Sequence, residues 1–309
     1  MHILPKKLRS VIKHRRLTQE KTKDLAASAN VDISRVKTVC LAMGPYRNLT
    51  TLTASILFLH PNCQVLNHGA ERIFADDRLD FLLHYSRRVA DNFIRYAIYI
   101  SGQGSRGKQG GSITLSHAFD GKHKMQALYR KQFGDKLIKE EINAVFWKES
   151  LRTSFHLRKH GIDLQQLFEQ EQRLRFLLPI RNPIDCALSN QKTGHAKLWG
   201  LGRSASVEEI LDHVLDEILW FYKLEQQYPE RFFHYLESDF DQDTATRLAD
   251  FLCLRHDPEW QEAVLEAFDV SKHYSYPEAL VGAFNAMVSE KFRDHPEMKN
   301  RLLAFAGKE

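Results

Sequence analysis

The stretch TVCLAMGPYRNLTTLTASIL, residues 38–57, decides the fold. It opens with an apolar run that predicts a buried strand, and from Thr50 its apolar residues recur at helical spacing. Only a tight loop fits between the two, at residues 44–48. A helix that begins directly after such a loop turns unpaired backbone N–H groups and its positive dipole end toward an anion. The segment therefore predicts an anion-binding loop between a strand and a helix.

The side chains of this segment suit the same ligand. Arg47 carries a guanidinium, which can make two charge-assisted bonds to a tetrahedral oxyanion, and Thr50 and Thr51 add hydroxyl donors. Taken alone, the segment leaves a second interpretation open, in which Thr50 only caps the helix and Arg47 extends into solvent.

A second junction of strand and helix lies about 130 residues further on, in LRFLLPIRNPIDCALSNQ, residues 174–191. Asn182 suits an N-cap and Pro183 the first helical position, which puts Arg181 at the carboxyl end of the strand. Parallel α/β sheets bind ligands at that end. A metal-dependent phosphoryl transferase usually carries an Asp there to hold Mg²⁺, so Arg181 predicts direct anion binding without a metal.

Strand and helix patterns alternate along the rest of the chain. Apolar runs predict further strands at 63–67 and 142–150 and a final strand within 231–240, and helical patterns occur at 18–29, 76–98, 152–171, 206–231 and 243–309. This order predicts an α/β fold, a three-layer parallel sheet with helices on both faces. We divide the chain into a basic N-terminal extension, residues 1–36, and a single domain, residues 37–309.

Composition limits the function classes. The 309 residues are 43% hydrophobic and carry a formal charge of +5, a mild excess that favours anionic ligands and predicts no nucleic-acid partner. The four cysteines form no C-x-x-C pair, which predicts reduced, buried thiols. No apolar run approaches the ~20 residues of a membrane span, and no signal-peptide core is present. These features predict a cytoplasmic protein without a transmembrane segment.

The Gly-rich stretch ISGQGSRGKQGG, residues 100–111, matches G-x-G-x-x-G but lacks the context of a phosphate cradle. A dinucleotide fingerprint follows a strand, whereas a helix is predicted before this stretch. Lys108 is followed by Gln109, where a Walker loop needs Ser or Thr. We interpret the stretch as a loop that closes over a substrate or as a plain flexible connection.

The pair of segments GPYRNLTT and RNPIDCALS resembles the paired signatures of sulfotransferases that use 3'-phosphoadenosine-5'-phosphosulfate (PAPS). In that family the first loop holds the 5'-phosphosulfate, and the Arg and Ser of the second segment hold the 3'-phosphate. The resemblance implies a P-loop NTPase-like sulfotransferase fold, adenosine 3',5'-bisphosphate as product, and no metal. The donor-binding residues that it implies are Arg47, Asn48, Leu49, Thr50, Thr51, Arg181 and Ser189.

Two later segments resemble the same family. VFWKESL is similar to the strand whose final lysine lies near the reacting sulfonyl group, which would be Lys148. FHYLESDF is similar to the family's late Tyr-Glu-Asp-Leu strand, through Tyr235, Glu237 and Asp239. The resemblance thus covers roughly residues 37–254.

The general base is predicted near the end of the strand at 63–67. His68 is the first choice because an ordinary imidazole accepts a proton at neutral pH, Glu71 is the second, and Glu149 beside Lys148 is a further candidate. The acceptor stays open among small molecules, carbohydrates and lipids.

One departure from the family keeps other functions open. Leu49 stands where the family loop has glycine, and a positive φ at a leucine would be strained. A non-catalytic descendant that binds a nucleotide or sulfated ligand is therefore an alternative. A P-loop phosphotransferase is disfavoured by the missing Lys-Ser/Thr pair and by Arg181.

Overall fold

The computed structural model describes residues 21–104, 110–121, 124–268 and 275–306. Its centre is a six-stranded sheet in the order β3-β2-β4-β1-β5-β6. The strands are β1 (Thr38–Ala42), β2 (Cys63–Asn67), β3 (Gly111–Ser112), β4 (Ala144–Lys148), β5 (Leu174–Ile180) and β6 (Phe232–Leu236). All neighbouring pairs are parallel except β2 and β3. The predicted α/β class and parallel sheet are confirmed.

Helices cover both faces of this sheet. They are α1 (21–28), α2 (Thr50–Phe58), α3 (Ala70–Ile73), α4 (Arg87–Ser101), α5 (Lys124–Phe133), α6 (Leu151–Lys159), α7 (Leu164–Gln170), α8 (Pro183–Thr193), α9 (Val207–Gln227), α10 (Gln242–Phe251), α11 (Pro258–Ala267), α12 (Glu278–Lys291) and α13 (Pro296–Leu303).

Alternation along the strands divides the interior into two cores. In β4, Val145 and Trp147 belong to the core beneath α4, α9 and α12, whereas Ala144 and Phe146 belong to the core beneath α2, α10 and α11. Successive side chains of a strand point to opposite faces, so a strand that is apolar throughout must be covered twice. The predicted three layers are confirmed.

The strand registers bring the two predicted anion-binding segments to one edge. Leu41 of β1 is paired with Trp147 of β4 and with Phe176 of β5. Because all three strands are parallel, their carboxyl ends lie side by side. The loop after β1, Lys148 at the end of β4 and Arg181 after β5 therefore share this edge.

Two predicted helices differ from those in the structure. The helix predicted at 76–98 is α4, which begins only at Arg87, because the Ser86 side chain accepts a hydrogen bond from the Val89 N–H and caps it there. Upstream, Asp76 and Asp80 bind backbone N–H groups and form turns. The segment predicted at 152–171 is two helices, α6 and α7, separated by a turn at Gly161, whose φ is 56°. The short strand β3 was not predicted.

The amine of a buried lysine lies between α2 and α5. The Nζ atom of Lys139 lies 4.6 Å from the ring centroid of Phe58, 4.4 Å from that of Tyr129 and 3.0 Å from that of Phe133. It has no hydrogen-bond partner among the described residues. Burial lowers the pKa of this amine to about 6, so it is mostly neutral at pH 7.

We expect Lys139→Met to stabilise the fold. In the unfolded chain the lysine binds a proton up to its ordinary pKa, whereas in the folded chain it does so only below about 6. The wild-type free energy of unfolding should therefore fall as pH decreases from about 10 toward 6, and the variant should gain on the order of 3 kcal/mol at pH 7. Urea unfolding at pH 7 and 9.5 measures this. Exposed Lys131→Met is the control, and the same pH dependence in wild type and Lys139→Met would contradict the assignment.

Candidate active site

The loop after β1 has the backbone geometry of an anion-binding nest. Arg47 has φ 65° and Leu49 has φ 60°, both in the left-handed region, while Asn48 between them does not. Alternating conformations of this kind turn successive N–H groups toward one point, which favours an anion there. Gly44 opens the loop with φ 86°, and a Cβ at this position would lie 2.2 Å from Leu178 Cδ1. The structure therefore requires glycine at 44 and tolerates a strained leucine at 49.

Leu49, not Thr50, is the N-cap residue of α2, and no side chain caps this helix. The alternative in which Thr50 serves only as a cap is therefore wrong. Thr50 is the first helical residue and is buried, while Thr51 is half-buried. Leu49 has a positive φ of 60°, the conformation that the sequence analysis identifies as strained for a leucine.

A fully buried Asn48 fixes the loop to the end of β5. Its side-chain amide donates to the carbonyl oxygen of Pro179 at 2.5 Å, and its Oδ1 accepts from the N–H of Arg181 at 2.8 Å. One carboxamide thus satisfies two backbone groups where the sheet ladder ends. This contact joins the two predicted segments directly.

The side chains of the two segments also meet. The Nε atom of Arg47 donates to Ser189 Oγ at 2.9 Å, and Ser189 is buried on α8. Both guanidinium groups act on one neighbour: burial raises the pKa of the Cys186 thiol to about 12, and the charges of Arg181 and Arg47 oppose this. Arg47 and Arg181 therefore both lie near the buried thiol of Cys186.

Arg181 is held by acidic side chains. Its Nη2 donates to Asp185 Oδ2 at 3.1 Å, and its Nε lies 4.0 Å from Glu237 Oε2. The N-cap predicted at Asn182 is confirmed, since its side chain accepts from the Ile184 N–H. Tyr276 closes this cluster by donating to Asp185 Oδ1 at 2.6 Å. The carboxylates fix the orientation of the guanidinium at the strand end.

Lys148 is buried at the end of β4, with 8% of its surface exposed. Burial lowers the pKa of its amine to about 8; Glu149 opposes this shift and Arg47 adds to it. The lysine is therefore mostly protonated at neutral pH and can donate to a developing anion.

His68 follows β2 and is half-buried, with φ 61°. Burial lowers the pKa of its imidazole to about 3, and three neighbouring basic groups lower it further: Lys148, Arg152 and His195. The imidazole is therefore neutral at pH 7 but a weak base. These couplings place His68 in the same cluster as the predicted lysine.

The two glutamates differ in their surroundings. Glu71 on α3 is exposed and accepts from Arg152 Nη1 at 2.9 Å. Glu149 is buried, and its oxygens accept from the Tyr46 hydroxyl at 2.7 Å and from the Ala70 N–H at 3.3 Å. Burial raises the pKa of Glu149 even though these donors and two cations lower it. The sequence pattern gave no signal for Tyr46 or Arg152.

The late strand lies beside the loop helix. The hydroxyl of Tyr235 on β6 lies 2.7 Å from Thr53 Oγ1, whereas Asp239 pairs with Arg301. The Gly-rich stretch lies partly outside the described residues, which include its ends but not residues 105–109. At one end of the stretch, Gly110 packs against Gly69, the residue after His68. A Cβ added to Gly69 would lie 3.5 Å from the Cα atom of Gly110.

No protein-family model matches the sequence, and no curated protein matches it. The solved structures that are similar to the chain include three sulfotransferases. Mouse SULT7A1 complexed with PAP is 12% identical over 93% of this chain and 94% of its own, with a TM-score of 0.44. STF9 from Mycobacterium avium is 13% identical over 92% of this chain and 84% of its own, with a TM-score of 0.41. The sulfotransferase from Alicyclobacillus acidocaldarius is 15% identical over 83% of this chain and 94% of its own, with a TM-score of 0.39.

Similarities with TM-scores this low say nothing about the activity of this chain. Within the described residues, no group of three or more His, Cys, Asp or Glu side chains is arranged to hold a metal ion. None of the helices in residues 21–104, 110–121, 124–268 and 275–306 has the length and apolar content needed to cross a bilayer.

We expect Leu49→Gly to raise the free energy of unfolding by about 1 kcal/mol, because glycine adopts the left-handed conformation without the strain of a Cβ. Leu49→Val should lower it by a similar amount, since a β-branched residue is a genuine outlier there. Urea unfolding of both variants measures the difference. Equal stability of the valine and glycine variants would contradict strain at residue 49.

Proposed function

We propose that the protein is a sulfotransferase that moves a sulfonyl group from PAPS to a hydroxyl or amine of an acceptor. The observation that supports this most strongly is the contact between the two donor-binding segments. Arg47 and Ser189 are 142 positions apart in the chain, yet their side chains form a hydrogen bond at the carboxyl edge of the sheet. A single nucleotide that carries phosphates on the 3' and 5' oxygens of one ribose is small enough to contact both segments.

The residues at this edge suit a doubly phosphorylated nucleotide. The nest at residues 47–49 and the uncapped start of α2 supply backbone donors for the 5'-phosphosulfate. Arg181 and Ser189 are proposed to hold the 3'-phosphate. Both are at least nine-tenths buried, so their bonds to a phosphate would form with little competition from water.

The chemistry that follows is an in-line displacement at sulfur. The acceptor oxygen or nitrogen forms a bond to sulfur while the bond from sulfur to the bridging oxygen of the 5'-phosphate breaks, and the leaving phosphate takes the electron pair. Lys148 and Arg47 lie where they can stabilise that charge. The loop N–H groups orient the sulfonyl oxygens, which supplies proximity. His68 and Glu71 as general bases stay predictions.

A non-catalytic descendant is the second candidate, and the strained Leu49 favours it. Such a protein would bind adenosine 3',5'-bisphosphate without consuming PAPS. The acceptor that we propose for the sulfotransferase is a small molecule, a carbohydrate or a lipid.

We expect the protein to bind adenosine 3',5'-bisphosphate in the absence of metal and to prefer it over Mg²⁺-ATP. Ser189→Ala should weaken bisphosphate binding about 10-fold, since a hydrogen bond to a charged group contributes ~1.5 kcal/mol or more. Arg181→Gln should weaken it more. Titration calorimetry measures all three affinities.

Adenosine 5'-monophosphate provides the internal control because it lacks the 3'-phosphate. If Arg181 and Ser189 contact that phosphate, their substitution should leave the affinity for the monophosphate nearly unchanged. Ser206→Ala, which removes the N-cap of α9, controls for general destabilisation. An equal loss for both nucleotides would refute the 3'-phosphate assignment, and a preference for Mg²⁺-ATP would refute the proposed donor.

A further inference from the structure

Sulfonyl transfer to a hydroxyl requires a group that takes the acceptor's proton. Any such group must be basic near neutral pH and must reach the acceptor directly or through one intermediary. The three candidate bases, His68, Glu71 and Glu149, have different surroundings.

His68 has lost most of the basicity of an ordinary imidazole. Its pKa is lowered to about 3, and burial is the first cause. A bound bisphosphate would offset the nearby positive charges but not the burial. Glu71 is exposed and engaged by the Arg152 guanidinium at 2.9 Å. Neither environment favours proton transfer from a hydroxyl.

Glu149 is the carboxylate whose surroundings favour a proton. The groups that face it are the Tyr46 hydroxyl from the loop, Lys148 from β4, Arg152 from α6 and the Ala70 N–H from α3. Burial outweighs all of them and raises the pKa of this carboxyl. Glu149 is 4% exposed, so an acceptor can reach it only through another group.

Tyr46 is that group. Its hydroxyl donates to Glu149 Oε1 at 2.7 Å, and its side chain is half-buried at the loop that precedes Arg47. Its ring lies 5.4 Å from that of His195, measured between centroids. The charge of Arg152 affects the pKa values of both Tyr46 and His68, and His195, whose ring lies near that of Tyr46, also affects His68. The phenol therefore lies in the same cluster as the predicted reaction site.

We propose that Tyr46 and Glu149 form a proton relay, in which Tyr46 contacts the acceptor hydroxyl and Glu149 positions the phenol and receives the proton. This inference rests on the proposed function. As the acceptor oxygen bonds to sulfur, its proton passes to Tyr46 Oη and the phenolic proton passes to Glu149 Oε1. The leaving phosphate departs with the electron pair of the broken bond, and Glu149 ends the turnover as a neutral acid.

The test uses the full chain with PAPS and three acceptors that differ in acidity: 4-nitrophenol, a simple aliphatic alcohol, and water through donor hydrolysis. Tyr46→Phe and Glu149→Gln should each lower kcat about 100-fold to 10,000-fold for the alcohol and for water. For 4-nitrophenol, a large share of which is phenolate at neutral pH and needs no base, the loss should be under 10-fold. A purely structural role would lower all three rates alike.

The pH profile of kcat and a spectroscopic titration distinguish proton transfer by Glu149 from a purely structural role, which would change neither. Wild-type kcat should fall as pH drops through the raised pKa of Glu149, and Glu149→Gln should lack this limb, while Glu149→Asp restores it. Difference infrared spectroscopy should show a carboxyl band that titrates above the ordinary glutamate range in the wild type and is absent in Glu149→Gln. Matched controls are Tyr85→Phe and Glu171→Gln, a surface phenol and a buried carboxylate elsewhere in the fold.

The outcomes separate the two proposals. A wild type that does not bind adenosine 3',5'-bisphosphate overturns the sulfotransferase assignment. A wild type that binds and turns over, with Tyr46→Phe and Glu149→Gln equally active on every acceptor, overturns the relay alone. Binding without turnover of any acceptor, water included, overturns the proposed sulfotransferase activity in favour of the non-catalytic candidate, and the relay falls with it.

Discussion

The buried carboxamide of Asn48 is the contact on which the site depends. It binds Pro179 and Arg181 at the end of β5, where the strand's own ladder has ended. A buried amide without hydrogen-bond partners would destabilise the fold by about 1–3 kcal/mol. The loop conformation that lets Asn48 form both bonds is therefore favoured. The residues on either side then adopt the left-handed conformation, and Arg47 is aimed at Ser189. The two hydrogen bonds of Asn48 thus offset the backbone strain at Arg47 and Leu49.

The sequence predicts the sheet and the strand-end residues because both have local signals. The strands are continuous apolar runs, and Asn182-Pro183 marks the start of α8. The start of α4 was predicted too early because the apolar period continues upstream, while Ser86 and two aspartates bind the backbone there instead. β3 spans two residues, which is too short for any period to show.

The proton relay could not be predicted for a different reason. Tyr46 and Glu149 are 103 positions apart, and each is unremarkable in its own segment. Their relation arises only because β1 and β4 are neighbours in the sheet, which places the residues that follow both strands side by side. The same holds for His195, which reaches the site from the turn after α8. Local periodicity encodes the layers, whereas strand order decides which loop residues meet.

Two buried lysines show what Glu149 does for the charge of the site. Lys139 and Lys148 are similarly buried, yet the pKa of Lys139 is lowered to about 6 and that of Lys148 only to about 8. Aromatic rings surround the first, whereas Glu149 lies beside the second and raises its pKa. Lys148 therefore keeps its proton at pH 7 even though Arg47 acts against it. One buried carboxylate thus maintains the cation at the end of β4 and, in the proposed relay, also accepts the proton that Tyr46 passes on.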